Sequence, residues 1–164
     1  MREIIGKMGK TQRATFGAGC FWGVEEVFKH IEGVLSAEVG FMGGTVKNPT
    51  YIQVCNGNTR HAEVVDLKYD PQKVSYQKLL EKFFEVHDPT QFNRQGLDVG
   101  DQYRSVIFYR TSEEEKLARK LIEEINNSGK YDKNIVTTVE KAGPFYRAEE
   151  YHQQYLAKRD LKTC

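Results

Sequence analysis

The sequence predicts an α+β fold in which helices pack on a mixed β-sheet. Short segments that are β-branched or alternate apolar and polar residues predict strands. They alternate with longer segments whose apolar residues recur every three to four positions, which predict helices. Gly, Pro, Asn and Asp separate these segments. The predicted order is β-α-β-short α-β-α-β-α-β-α, and its centre matches the β-α-β-β-α-β pattern. We therefore expect a ferredoxin-like two-layer α/β sandwich with an added C-terminal strand, helix and tail.

The first half of the chain contains three predicted strands, which cover residues 13–16, 34–41 and 61–69. Apolar residues at helical spacing from Phe21 to Phe28 predict a helix between the first two strands, ended before Gly33. Thr50 is a suitable N-cap for a short helix that stops at Asn56-Gly57.

The second half begins with a helix that Ser75 is expected to cap and that stops near Asp88. A long loop follows over residues 88–102, and loops of this length inside compact domains are often functional. Further strands are predicted at 104–109 and 135–139.

Two more helices complete the predicted fold. Ser112 and Glu115 predict a capping box at the start of the first, and Gly129 marks its end. The second is expected over residues 147–158.

Length and composition indicate a single domain over residues 1–164, with 1–12 as a loose leader and 159–164 as a mobile tail. Lys and Arg number 24 and Asp and Glu 23, a formal net charge of +1, which argues against a nucleic-acid-binding protein. No apolar stretch has the length of a membrane span or a signal-peptide core, so we expect a cytoplasmic protein. The sequence does not reveal the oligomeric state, and a monomer is assumed. Three cysteines are too few, and odd in number, for a disulfide scaffold.

The stretch Gly17-Ala18-Gly19-Cys20-Phe21-Trp22-Gly23 is the most informative part of the chain. It places Cys20 at the first turn of a predicted helix, where N–H groups and the helix dipole favour a thiolate. Phe21 and Trp22 can supply an apolar wall beside it. The alternative is a buried small residue at a tight strand-helix turn, and the local setting leaves both interpretations open.

Glu63 shares a predicted strand face with Val65, Leu67 and Tyr69. Desolvation on such a face favours the neutral carboxyl and raises its pKa, which suits a general acid. The alternative is an edge-strand glutamate that reaches solvent or pairs with a basic neighbour.

Two tyrosines add hydroxyl groups near predicted loops. Tyr51 follows Asn48-Pro49-Thr50, and Tyr103 lies at the end of the long loop. Each hydroxyl can donate a hydrogen bond to a ligand oxygen, although loop tyrosines more often close the edge of a core.

Two other motifs are incomplete. His61-Ala62-Glu63 fits the H-x-E part of zinc deaminases, but the P-C-x-x-C segment that this chemistry also needs is missing, so no metal site is expected. The Gly17-Ala18-Gly19 stretch lacks the third glycine of a dinucleotide-binding fingerprint, because Trp22 occupies that position.

Seven ordered motifs extend from about Thr15 to Cys164. They are Gly19-Cys20-Phe21-Trp22-Gly23, Asn48-Pro49-Thr50-Tyr51, His61-Ala62-Glu63, His87-Asp88-Pro89, Gln95-Gly96-Leu97-Asp98, Gln102-Tyr103-Arg104-Ser105 and Tyr151-His152-Gln153-Gln154-Tyr155-Leu156. Through them the sequence resembles the A-type peptide methionine sulfoxide reductases. The resemblance implies an oxidoreductase that restores methionine from methionine-S-sulfoxide, protein-bound or free, and so repairs oxidised proteins.

The resemblance also implies a role for each matching site residue. Cys20 attacks the sulfoxide sulfur, and Glu63 protonates the sulfoxide oxygen. Tyr51 and Tyr103 hold that oxygen by hydrogen bonds. Oxygen protonation fits the chemistry, because a sulfoxide sulfur is a poor electrophile until charge on its oxygen is stabilised.

The same resemblance assigns the rest of the site. Phe21 and Trp22 enclose the substrate methyl group, and Asp98 supports the site through water or hydrogen bonds. No metal or organic cofactor is expected. The reductant is an external dithiol, thioredoxin in the cell or dithiothreitol in an assay.

Recycling is expected to use a second cysteine. Attack leaves Cys20 as a sulfenic acid, which a thiol condenses with to form a disulfide. Cys164 aligns with the recycling cysteine of the family. A frayed terminal thiol without a role is the alternative. Cys55, in the predicted short helix, is interpreted as a core residue and is the other candidate.

Two other functions compete with this one. A thiol peroxidase would also use an activated cysteine and a distant partner, but it would not explain Glu63 or the aromatic wall. A non-catalytic module would bind methionine sulfoxide peptides and leave every thiol intact.

Overall fold

The computed structural model describes residues 11–161. Its helices are α1 (Phe21–Phe28), α2 (Tyr51–Cys55), α3 (Tyr76–Glu85), α4 (Ser112–Ser128) and α5 (Tyr155–Lys158). Its strands are β1 (Gln12–Ala18), β2 (Val34–Met42), β3 (Ala62–Tyr69), β4 (Arg94–Gln95), β5 (Asp98–Val99), β6 (Ser105–Tyr109), β7 (Thr138–Lys141) and β8 (Tyr146–Arg147). Short 3₁₀ turns occupy Asp101–Tyr103 and Glu150–His152. Within this part of the chain no helix is both long and apolar enough to cross a bilayer.

The main sheet has six strands in the order β7-β6-β1-β3-β2-β8. Adjacent strands within the central four, β6-β1-β3-β2, are antiparallel to one another, and the four follow the order of a β-α-β-β-α-β unit. At the edges β7 pairs in parallel with β6, and β8 pairs antiparallel with β2. The predicted α+β fold with a mixed sheet is therefore confirmed.

Aromatic packing fixes β1 and α1 against each other. The rings of Phe16 on β1 and Phe28 on α1 stack with centroids 5.6 Å apart, and Phe83 of α3 lies 5.2 Å from Phe16. All three side chains are fully buried. The turn between β1 and α1, which carries Cys20, is thus held between two anchored elements.

The prediction of one helix over residues 147–158 is wrong. The segment contains β8, a 3₁₀ turn and the four-residue helix α5. Long-range hydrogen bonds to Val39 determine its path. The Ala148 N–H donates to the Val39 carbonyl at 2.9 Å. The Gln153 side-chain oxygen accepts the Val39 N–H, and its amide nitrogen donates to the Val39 carbonyl. These bonds replace the i→i−4 ladder that local periodicity predicts.

Four smaller corrections concern boundaries. Thr111, not Ser112, caps α4, because its hydroxyl accepts from the Glu114 N–H at 3.1 Å. The predicted strand at 135–139 is found at Thr138–Lys141, and the long loop contains the β4–β5 hairpin. Gln12, predicted to lie in the leader, pairs with Tyr69 in β1. Residues 1–10 of the predicted leader lie outside the described residues.

Gly19 allows the β4–β5 hairpin to reach the start of α1. Its φ is +94°, and a Cβ there would lie 2.9 Å from Cβ and Cγ of Gln95. Gln95 is itself fixed, since its amide oxygen accepts from the Asp88 N–H at 2.9 Å and its amide nitrogen donates to the Asp88 carbonyl at 3.0 Å. The turn before Cys20 and the hairpin are therefore in direct contact.

Gly19→Ala is expected to lower the free energy of unfolding by about 2–4 kcal/mol, because left-handed strain and overpacking against Gln95 add together. Gly57 is a matched control: its φ is +82°, and an added Cβ meets nothing within 4 Å. Gly57→Ala should cost only the strain, about 1–2 kcal/mol. Urea unfolding measures both variants, and equal losses would contradict the contact argument.

Candidate active site

Cys20 is the N-cap residue of α1. It is half-buried, and its carbonyl receives the Val24 N–H at 3.5 Å. The first turn of α1 has no acidic side chain to oppose the helix dipole. A thiol at this position lies where N–H groups and the dipole stabilise negative charge. The alternative of a fully buried filler residue does not fit this partial exposure.

Glu63 reaches the same helix start from the middle of the sheet. It lies on β3, opposite Phe41 of β2, and only 1% of its surface is exposed. Its Oε1 accepts the Phe21 N–H at 3.2 Å. Because Phe21 directly follows Cys20, this bond brings the carboxyl to the first turn after the thiol. The alternative of a solvent-reaching edge glutamate is wrong.

Aromatic rings form a wall next to these two groups. The Phe21 ring centroid lies 5.7 Å from that of Phe41, 6.2 Å from Tyr51 and 6.4 Å from Trp22. Phe21 and Phe41 are buried, while Trp22 and Tyr51 are partly exposed. The wall therefore combines an apolar floor with rings that a ligand can reach.

Tyr51 and Tyr103 approach Glu63 from two different elements, the start of α2 and the 3₁₀ turn before β6. Burial raises the pKa of Tyr51, and a hydrogen bond with Cys55 and the Glu63 carboxylate raise it further. Burial also raises the pKa of Tyr103, followed by the charges of Glu63 and Asp98. Both phenols therefore keep their protons at neutral pH and can act as hydrogen-bond donors.

Asp98 lies on β5 of the hairpin and is exposed. Its charge is close enough to Tyr103 to contribute to the raised pKa of that phenol. The structure thus brings Asp98 to the edge of the cluster, next to one of the two tyrosines.

Cys55 is not the core residue that the sequence predicts. It is the last residue of α2 and is exposed. The short helix turns its thiol back toward Tyr51, with which it forms a hydrogen bond. Partial desolvation raises the pKa of Cys55, and the charges of Glu63 and Glu149 add to this, while the hydrogen bond with Tyr51 lowers it. Amphipathic periodicity in a five-residue helix is too short to predict such exposure.

His152 and Glu149 also contribute to the site, and sequence reasoning gave neither a role. The Trp22 indole N–H donates to Nδ1 of His152 at 3.0 Å, and the Tyr51 N–H donates to Glu149 at 3.2 Å. His152 is fully buried, and burial lowers its pKa, so its neutral ring can accept this bond. Tyr151 and His152 belong to the last of the seven sequence motifs, but the role of this segment depends on its contacts with α1 and α2.

Metal ligation has no support in residues 11–161, where no three His, Cys, Asp or Glu side chains are grouped to hold an ion. The predicted recycling residue Cys164 lies outside the described residues.

Comparison with known proteins places this geometry in a family. A family model described as peptide methionine sulfoxide reductase matches residues 12–164. The peptide methionine sulfoxide reductase MsrA of Methanoculleus marisnigri is 61% identical over 153 residues, which are 93% of this chain and 93% of that protein.

Solved structures agree with the sequence comparison. Reduced Mxr1 from Saccharomyces cerevisiae has a TM-score of 0.86 at 36% identity, covering 93% of this chain and 87% of the yeast chain. Mxr1 in complex with Trx2 has a TM-score of 0.63 at 25% identity, covering 90% and 86%. The chain therefore belongs to the peptide methionine sulfoxide reductase family and is an oxidoreductase that reduces methionine sulfoxide to methionine.

Proposed function

We propose that this chain reduces the S epimer of methionine sulfoxide by attack of Cys20 on the sulfoxide sulfur. One observation supports this most directly: the Glu63 carboxyl accepts a hydrogen bond from the N–H of Phe21, which is the residue after Cys20. A nucleophile and a buried acid thus meet at one helix start. Neither a peroxidase nor a binding module requires that pairing.

The aromatic wall explains how the substrate would be held. The Phe21 and Trp22 rings provide an apolar surface for the methyl group on the sulfoxide sulfur. Methyl burial there would point the sulfoxide oxygen away from the wall, toward polar groups. The wall therefore orients the sulfur for attack, a contribution of positioning rather than of chemistry.

Polar groups then act on the sulfoxide oxygen. Tyr51 and Tyr103 donate hydrogen bonds, because their phenols stay protonated. Glu63, desolvated on β3, supplies the proton. As Cys20 attacks, negative charge moves to the oxygen, and three donors stabilise it. Asp98, close to Tyr103, would hold that phenol or a water beside it.

The redox change balances within the site. The oxygen leaves the methionine sulfur, which is reduced by two electrons, and becomes the hydroxyl of a sulfenic acid on Cys20, which is oxidised by two. Methionine is released. We assign the next step to Cys164, whose thiol displaces that hydroxyl as water and forms a disulfide.

An external dithiol completes the cycle. The yeast relative Mxr1 forms a complex with Trx2, which supports thioredoxin as the partner that reduces the disulfide. We propose that no metal or organic cofactor takes part, since the two thiols supply both electrons. The need for a reduced Cys20 favours the reducing cytoplasm as the site of action.

The first test measures reduction of each separated epimer of a methionine sulfoxide peptide, with dithiothreitol as reductant. We expect methionine from the S epimer alone, quantified by chromatography, and no turnover by Cys20→Ser. A peroxide substrate in parallel distinguishes a thiol peroxidase. Methionine from neither epimer, with all thiols intact on titration, would show a binding protein instead.

Glu63→Gln is expected to lower kcat by about 10²–10⁴-fold, the usual contribution of a general acid, with little change in thermal unfolding. The amide still accepts the Phe21 N–H but cannot donate an acidic proton. Glu38→Gln is a matched control, because Glu38 is a partly exposed carboxylate on the neighbouring strand β2 and pairs with Arg147. A near-normal rate in Glu63→Gln at neutral pH would refute the acid role.

Cys164→Ser should release methionine once per enzyme and lose thioredoxin-dependent turnover, because the Cys20 sulfenic acid has no thiol to condense with. Cys55→Ser, which changes the exposed thiol near Tyr51, should keep that turnover. Coupled oxidation of NADPH through thioredoxin reductase measures both variants. The reverse pattern would transfer the recycling role to Cys55.

A further inference from the structure

A buried carboxylate outside the reaction site joins α1 to the C-terminal segment. Glu25 of α1 is 1% exposed. Its two oxygens accept the Gln154 backbone N–H at 3.0 and 3.1 Å, and Oε2 also accepts the Gln154 amide N–H at 3.0 Å. Lys29, one turn further along α1, donates to the Gln154 side-chain oxygen at 2.8 Å. The reaction proposed above uses none of these groups.

Gln154 is held in an uncommon conformation by these bonds. Its φ is +58°, in the left-handed region that residues other than glycine rarely adopt, and it is the N-cap of α5. Such a conformation costs free energy and persists where surrounding contacts enforce it. Here the Glu25 carboxylate enforces it, because the turned backbone points its N–H at the two oxygens.

The helix that Gln154 starts is docked on the aromatic wall. The Tyr155 ring stacks on Trp22 with centroids 3.8 Å apart and planes 7° apart, and the Arg159 guanidinium lies 3.6 Å from the Tyr155 centroid. Leu156 is buried. Helix α5 therefore lies against the residue that is two positions after Cys20.

The chain leaves α5 in a fixed direction. The Leu161 N–H donates to the Leu156 carbonyl at 2.8 Å, and the Asp160 N–H donates to Ala157 at 3.1 Å. With φ of +55° at Asp160, this is the Schellman arrangement that ends a helix. The backbone is thus anchored from Gln154 to Leu161.

Cys164 is the third residue after Leu161, and three residues span at most about 10 Å. The position of α5 therefore limits the space in which the Cys164 thiol can lie. If the segment detached, the tether to that thiol would begin at Gln154, ten residues before Cys164. A longer tether dilutes the thiol around its target and lowers its effective concentration.

We propose that Glu25 is a positioning residue for enzyme recycling: by seating Gln154 it fixes the origin of the tail that carries Cys164 to the Cys20 sulfenic acid. The step that it accelerates breaks the S–O bond of the Cys20 sulfenic acid and forms the S–S bond to Cys164. The hydroxyl group leaves together with the thiol proton as water. This inference rests on the proposed recycling role of Cys164.

The charge state of Glu25 sets the conditions for a test. Burial raises the pKa of Glu25 to about 7, while the Gln154 N–H and the charges of Lys29 and Lys158 lower it and the Glu26 carboxylate raises it. At pH 8 the carboxylate is the major form. An assay at pH 8 therefore compares the wild type, in which the Glu25 carboxylate accepts these hydrogen bonds, with a variant that lacks the carboxylate.

The experiment follows one turnover without reductant at pH 8 in Glu25→Ala. Released methionine reports the attack by Cys20, and thiol titration with mass spectrometry of the Cys20–Cys164 peptide reports the disulfide. We expect normal methionine release and dithiothreitol turnover. Disulfide formation and thioredoxin-dependent kcat should fall about tenfold, since hydrogen bonds to a charged group are lost. Glu32→Ala, which removes an exposed carboxylate beyond the end of α1, should match the wild type.

A second variant approaches the contact from the other side, in case Glu25→Ala misfolds. Gln154→Asn tolerates the left-handed conformation and keeps the backbone N–H, but its side chain is too short to bridge Glu25 and Lys29. A smaller fall in disulfide formation, again with normal methionine release, is therefore expected. Normal disulfide rates in both variants would overturn the role of Glu25. A parallel loss of methionine release would also overturn it, because Glu25 would then only support α1. Absence of the Cys20–Cys164 peptide in the wild type would instead refute the recycling role of Cys164 itself.

Discussion

The hydrogen bond from the Phe21 N–H to Glu63 is the interaction on which the site depends. A buried carboxyl without a partner is strongly destabilising, so this donor and its acceptor constrain each other. The bond joins the start of β3 to the first N–H of α1. Because Cys20 is the residue before that N–H, one contact sets the distance between nucleophile and acid. The two tyrosines and the aromatic wall then surround the pair formed by Cys20 and Glu63.

Close packing explains the glycines before Cys20. A Cβ on Gly17 would lie 2.8 Å from Cγ1 of Val106, and one on Gly19 would meet Gln95 at 2.9 Å. The first contact is with β6, next to β1 in the sheet, and the second is with the β4–β5 hairpin. The glycines thus let three separate chain segments converge at the thiol, which no pair of larger residues would permit.

What could be predicted from the sequence is what local physics determines. The helix starting at Phe21 follows from apolar spacing, and the buried face with Glu63 follows from alternation along β3. The path after Tyr146 could not be predicted, because hydrogen bonds to Val39 and Glu25 override local preference there. The exposure of Cys55 could not be predicted either, because a helix of five residues is too short for the spacing of its apolar residues to show which face is buried.

Trp22 shows that substrate binding and the C-terminal segment are not independent. Its indole lies in the aromatic wall, donates to His152 and stacks on Tyr155. One face of the ring is thereby covered by α5. The indole N–H is held by His152, which lies before Gln154, so this bond keeps the ring in place even when the seat of Gln154 is lost. The C-terminal segment therefore contributes to the methyl-binding surface through His152 and Tyr155, two side chains that take no part in electron transfer.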